Sequence, residues 1–268
     1  VLSRHVRQLE VTLHQNLLSR NGRGVTLTEA GRVLLEHGRG ILHQVALAQE
    51  ELGAVRGALS GRVSIGMPPS LSRLMSVPLT KAFIAALPHA QLALHEGFSL
   101  LTLESLRAGR LDMALLYNPS AAPDLEMHRL HEDELVLISA SKSPEKLKAS
   151  VSLAQLAEIA LILPSRPNAF RLLIEAELTR LGLKPRIALE IDGLNAILEL
   201  VREGLGHAVL PAYTLSQFAS PQDFRTHRIE RPRLRSQLML VRSAHRAVTA
   251  THQAAEQILR KTLALVTH

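Results

Sequence analysis

Along the first thirteen residues (VLSRHVRQLEVTL) Leu2, Val6, Leu9 and Leu13 recur at helical spacing, with Arg4 and Arg7 between them. This pattern predicts an amphipathic helix over 1–13. Asn21-Gly22 and Gly24 then mark a turn, because glycine reaches positive φ without steric cost. Val25 and Leu27 alternate with threonines and predict a short strand. Thr26-x-x-Glu29 has the form of a capping box, and Ala30, Val33 and Leu34 fall at helical spacing after it. Further on, Ile41, Val45, Ala48, Leu52, Val55 and Leu59 are separated alternately by four and three residues. That 3.5-residue seam is the pattern of a helix that pairs with another helix, and Ser60-Gly61 ends it.

After Gly61 the pattern alternates between short apolar runs and helical periods. Strands are expected at 62–67, 91–95, 111–117, 134–139, 160–163, 186–191, 207–210, 224–229 and 237–241. Helices are expected near 70 onward and at 100–108, 168–181, 194–202 and 249–266. The run LDMALLY at 111–117 is almost continuously apolar, as a buried parallel strand should be. Alternation of this kind predicts α/β halves built on parallel sheets, with a cleft between them.

Composition adds three constraints. The chain of 268 residues is 46% hydrophobic but only 3% aromatic, without tryptophan, so aliphatic side chains must fill the core. A formal net charge of +7 points to an anionic partner, nucleic acid first, although much of the excess lies at 225–246 and could be a solvated face. No cysteine is present. This excludes disulfide and thiolate-metal frameworks and fits a reducing, cytoplasmic setting. No apolar run approaches the ~20 residues of a membrane span, so no membrane partner is expected.

Ser3-Arg4-x-Val6-Arg7-x-Leu9-Glu10, then Leu17-Leu18-x-Arg20, then Thr26-Leu27-Thr28-Glu29-Ala30-Gly31 resemble the DNA-binding signature of LysR-type transcriptional regulators. The resemblance extends over essentially the whole chain. It implies that 1–27 is part of a winged helix–turn–helix, beginning inside the recognition helix, so that the family's first helix and most of the second precede Val1. It implies further that the turn at Arg20-Asn21-Gly22-Arg23 is the wing, that 28–60 is a linker and dimerisation helix, and that 61–268 is a two-lobed effector domain similar to periplasmic binding proteins. The lobes would be about 61–138 plus 242–268, and about 139–241. The stretches from Glu96 to Leu101 and from Leu111 to Pro119 resemble the branch containing the nitrogen assimilation control proteins.

The resemblance implies operator DNA as partner of the full-length parent and a homodimer or homotetramer. Ser3, Arg4, Arg7, Arg20, Asn21 and Arg23 are the candidate DNA contacts, arginine pairing with phosphate through charge-assisted hydrogen bonds. The seam Ile41, Val45, Ala48, Leu52, Val55 and Leu59 is the candidate dimer contact. Ser70, Ser99 and Ser165 lie where a strand hands over to a helix, the place at which open α/β sheets bind ligands. With Leu71, Leu100, Tyr117, Pro164 and Arg166 they form the candidate effector site. Helix capping would ask for the same serines. Unpaired N–H groups, the Arg166 charge and no carboxylate read within the three turns predict a small anionic effector. His128-x-x-His131-Glu132-Asp133 falls on a strand, where i and i+3 face opposite ways, so no metal site is expected. Gly204-x-Gly206 lacks the third glycine of a dinucleotide fingerprint. No catalytic constellation and no cofactor are expected. The alternatives are a solute-binding protein without DNA binding, against which the seam helix weighs, and an α/β enzyme.

Overall fold

The computed structural model describes residues 2–21, 24–54, 59–143, 147–218 and 220–266. The chain opens with α1 (Leu2–Leu13), the strands β1 (Leu18–Asn21) and β2 (Gly24–Leu27), and the long helix α2 (Glu29–Ala54). The two strands pair antiparallel, Leu18 opposite Leu27, as a hairpin; only the second was expected. The Glu10 carboxylate fastens α1 to it by accepting from the Leu17 and Leu18 N–H groups at 2.9 and 3.1 Å. The cap of α2 is Thr28, not Thr26: its hydroxyl accepts from Gly31 N at 3.0 Å and donates to the Asn16 carbonyl at 2.6 Å. Pairing of Thr26 with Ser19 in the hairpin holds it away from that role.

The rest comprises β3 (Ser60–Met67), α3 (Pro69–Ala86), β4 (His89–Glu96), α4 (Ser99–Arg107), β5 (Met113–Tyr117), β6 (Leu125–Ala140), β7 (Ser150–Ser152), α5 (Leu153–Leu156), β8 (Leu161–Leu163), α6 (Ala169–Arg180), β9 (Ile187–Glu190), α7 (Leu194–Arg202), β10 (Ala208–Pro211), two 3₁₀ turns (Ala212–Gln217 and Pro221–Asp223), β11 (Phe224–Glu230), β12 (Arg235–Ser243) and α8 (Ala250–Val266). Strands run in the order β4-β3-β5-β12-β6-β11-β7, with β10 also on β6 and β8 paired separately to β9.

The sheets are mixed rather than parallel. β3 runs parallel to β4 and β5, β11 to β7 and β8 to β9. β12 runs antiparallel to β5 and β6, and β10 and β11 antiparallel to β6. The cause is the traffic between the halves: β6 carries the chain out and β12 brings it back. At 16 residues and ~3.3 Å per residue, β6 is long enough to serve two sheets. Its residues up to Glu134 pair with β12, and from Leu135 onward with β10 and β11.

All five residues of β5 are buried, as their continuous apolar character requires. α8 returns to the first half, where Leu259 and Ala255 are fully buried in the core around α3 and β3. The Thr251 hydroxyl donates to the Ser60 carbonyl at 3.0 Å and fixes the helix at the start of β3. No described helix is long and apolar enough to cross a membrane.

Candidate functional site

A narrow cleft of about 50 Å³ lies between the halves. From the first half it is walled by Pro68, Ser70, Phe98, Ser99 and Tyr117, and from the second by Pro164, Phe170, Asp192, Ile197 and Val209. Three of the expected residues that line it sit at ends of strands or starts of helices. Ser70 lies in the first turn of α3, Ser99 opens α4, and Tyr117 ends β5.

Neither Ser70 nor Ser99 caps its helix. The residues at those N-cap positions, Pro68 and Phe98, make no side-chain cap bond. Ser99 Oγ accepts from the Tyr117 N–H at 3.2 Å, and Ser70 Oγ accepts from the Tyr213 hydroxyl at 3.5 Å. The Tyr213 and Tyr117 hydroxyls are 2.5 Å apart, and Tyr117 donates onward to Asp133 Oδ2 at 2.9 Å. This buried chain joins a helix and a strand of the first half to the 3₁₀ turn of the second. Burial first, then each other's and Asp133's charge, holds the Tyr117 phenol well above its usual pKa, and burial also raises that of Tyr213. Both are therefore neutral hydrogen-bonding groups across the physiological range.

Burial raises the pKa of Asp133 above its ordinary value, against the opposing effects of Tyr117 and His131. A raised pKa means that the folded chain holds the proton through a window in which the unfolded chain has lost it. Stability therefore falls as pH rises from the ordinary aspartate value of ~3.9 through the raised one. Asp133→Asn, which keeps an acceptor for Tyr117 and cannot ionise, should melt higher relative to the parent at pH 7 than at pH ~3. Thermal unfolding at the two pH values measures this, and an equal difference at both would refute the assignment.

The Ser165 turn is arranged differently from the anion site expected of it. Asp192, at the end of the β8–β9 layer, accepts from Ser165 N at 2.8 Å and from its hydroxyl. These bonds, the side-chain one foremost, hold the Asp192 carboxyl below its ordinary pKa. Arg166 donates to Glu175 at 2.9 Å and does not line the cleft. The cap of α6 is Asn168, whose side chain accepts from Phe170 N and Arg171 N. Buried Arg171 ties the turn together through Glu175, Glu190 and the Pro164 carbonyl. Two arginines thus meet three carboxylates, and the expectation of a turn without carboxylates fails because the β9–α7 connection folds Asp192 against it. Leu71 is fully buried in the core, and Leu100 lies outside the cleft on the exposed side of α4.

In α1, Ser3, Arg4 and Arg7 are exposed, and their spacing puts them on one helical face. Gly22, Arg23 and Val55 lie outside the described residues, as do the side chains of Arg20, Asn21 and Leu52. On α2, Ile41 is 65% and Val45 50% exposed. They face an open groove of about 1030 Å³ across from Arg107, Arg110 and His245. Among the described residues no group of three or more histidines and carboxylates could hold a metal ion.

The LysR substrate binding domain matches residues 56–264, and the bacterial regulatory helix-turn-helix of the lysR family matches residues 1–32. The chain belongs to the LysR family. It is a DNA-binding transcriptional regulator with an effector-binding domain, not an enzyme, and the helix-turn-helix match disfavours the solute-binding alternative. It is 32% identical over 259 residues to the nitrogen assimilation regulatory protein nac of Escherichia coli, spanning 96% of this chain and 84% of the relative, and equally to that of Klebsiella aerogenes. Among solved structures, a full-length OxyR variant from Pseudomonas aeruginosa superposes with a TM-score of 0.77 at 21% identity, over 99% of this chain and 85% of that one. CbnR, a LysR family transcriptional regulator, gives 0.70 at 23%, over 97% and 88%. The two-lobed LysR architecture explains why β6 serves two sheets and why β12 brings the chain back to the first half. Sequence reasoning misses the apolar walls Pro68, Phe98, Phe170, Ile197 and Val209, and with them the polar residues Asp133, Asp192 and Tyr213. Tyr213 carries a signal nonetheless, since the chain has just two tyrosines and they touch.

Proposed function

We propose that this regulator grips operator phosphates through Ser3, Arg4 and Arg7 of α1, aided by Arg20, Asn21 and Arg23, and that residues 28–60 pair two subunits. Residues 61–268 would then form the sensing unit, with lobes at about 61–138 plus 242–268 and at about 139–241. The setting is the cytoplasm, and the assembly is a homodimer or a dimer of dimers. A ligand that favours one angle between the lobes shifts the spacing of the paired heads on DNA. The ionised Asp192 beside the cleft weighs against the anionic effector read from the sequence and supports a neutral one.

The single observation carrying the DNA reading is the exposed face of α1 with two arginines one turn apart, backed by the hairpin. Arg4→Ala and Arg7→Ala should each weaken binding to a labelled duplex and flatten the plot of log affinity against log salt by about 0.9. Fluorescence anisotropy across a salt series is the check. Slopes equal to the parent's in both variants would remove α1 from the interface.

A further inference from the structure

Beside the cleft, on its outer side, a second and much larger hollow of about 640 Å³ runs between α4 and α6. Leu100 and Leu103 form one wall, Leu172 and Leu173 the other, and Pro119 lies at its edge. Ser99, Tyr117 and Ala169 are common to the hollow and the cleft. The size of the hollow suits a ligand of its own. A water molecule claims ~30 Å³ of liquid, and small-molecule sites span roughly 300–1,000 Å³. The cleft measures about 50 Å³ with the halves as they stand, whereas the hollow falls inside the range.

Its lining defines the chemistry. Arg107 is committed to Asp124 through Nε at 2.7 Å and Nη2 at 3.2 Å. The Asn118 amide donates to Ser236 Oγ at 2.9 Å and accepts from Gln237 N at 2.8 Å. Ser99 Oγ already accepts from Tyr117 N. Leu100 and Leu172 meanwhile remain 42% and 46% exposed. The surface on offer is aliphatic, with no uncommitted charge.

We propose that this hollow between α4 and α6 binds a neutral, apolar small molecule. The proposal goes beyond the reading of the cleft and does not depend on it. Concavity favours a small molecule over a protein face, and one ligand there would touch a helix from each half. Its occupancy would then set their separation, coupling binding to the angle between the halves.

The test is titration of the full chain with N-phenyl-1-naphthylamine, a neutral probe whose fluorescence rises on leaving water. Saturable binding is expected. Leu100→Glu and Leu172→Glu, both at exposed positions that leave the fold intact, should each weaken it about tenfold by placing a carboxylate against the apolar probe. Leu181→Glu, an exposed leucine beyond the hollow, and Ser70→Ala, inside the cleft, should leave it unchanged. No saturable binding, equal binding in both groove variants, or equal weakening by Leu181→Glu would overturn the proposal. Weakening by Ser70→Ala alone would place the probe in the cleft and overturn it too.

Discussion

Ile41→Asp will shift the protein from paired to single chains at micromolar concentration. On a lone subunit the change is mild: Ile41 is 65% exposed, and aspartate costs at most ~0.7 kcal/mol of helix propensity. In a paired seam the same carboxylate is desolvated against apolar neighbours, which costs on the order of 3–5 kcal/mol. Two-fold symmetry makes each substitution count twice. The interface term therefore exceeds the local one several-fold, and every 1.4 kcal/mol is about a factor of ten in the dimer constant. Sedimentation velocity reads the outcome directly. Leu42→Asp provides the comparison, because Leu42 is 71% exposed but lies off the seam. Dissociation by Leu42→Asp with Ile41→Asp still paired would rotate the interface by one residue and refute the seam.

The second large effect is expected at Gly31, in the first turn of α2. A Cβ there would stand 2.0 Å from the Leu17 carbonyl oxygen and 3.2 Å from Leu27 Cδ2. The same carbonyl accepts from the Thr28 N–H at 3.0 Å, so it cannot retreat without undoing the cap of α2. Two terms compete in Gly31→Ala. Alanine gains ~1 kcal/mol as a helix former, while overpacking against an immovable neighbour costs ~1–3 kcal/mol or more. Because the clash is with backbone, the second should win. The variant should lose stability in the N-terminal unit by ~1–2 kcal/mol net, lose DNA affinity and keep the melting of the effector-binding part. Hydrogen exchange resolves the two regions. Unchanged protection at Leu17 and Leu18 would contradict this account.

Periodicity located most strands and helices beyond Gly61, because each buries one face or both. It failed where pairing rather than burial makes the strand. The first half of β6, already placed on a strand by the histidine motif, lay outside the apolar run at 134–139 because His128, Arg129, His131 and Glu132 are half-exposed or exposed; β12 pairs with it there. β7 has three residues and only Val151 buried, too little to register. At the cleft, Ser70, Ser99, Tyr117 and Pro164 were legible because strand ends and helix starts carry turn chemistry. Asp192 was not, because nothing local tells that its loop will fold against Ser165, 27 residues earlier. Tyr213 and Tyr117 are 96 residues apart, and their contact is created only when the two halves close.

The return of β12 and α8 to the first half also sets an order of assembly as the chain leaves the ribosome. β3, α3, β4, α4 and β5 emerge early, yet β5 lacks its neighbour β12 and the core around α3 lacks Leu259 until β12 and α8 are made. The segment from β7 to β11 is contiguous and pairs with β6, so all its partners are made before β12 emerges. Domains made in sequence usually fold from the N-terminus; here the first half emerges first and must finish last. A nascent chain stalled before Arg235 would therefore hold one edge of β5 bare, an aggregation hazard, and its partly built half is the natural target of a chaperone.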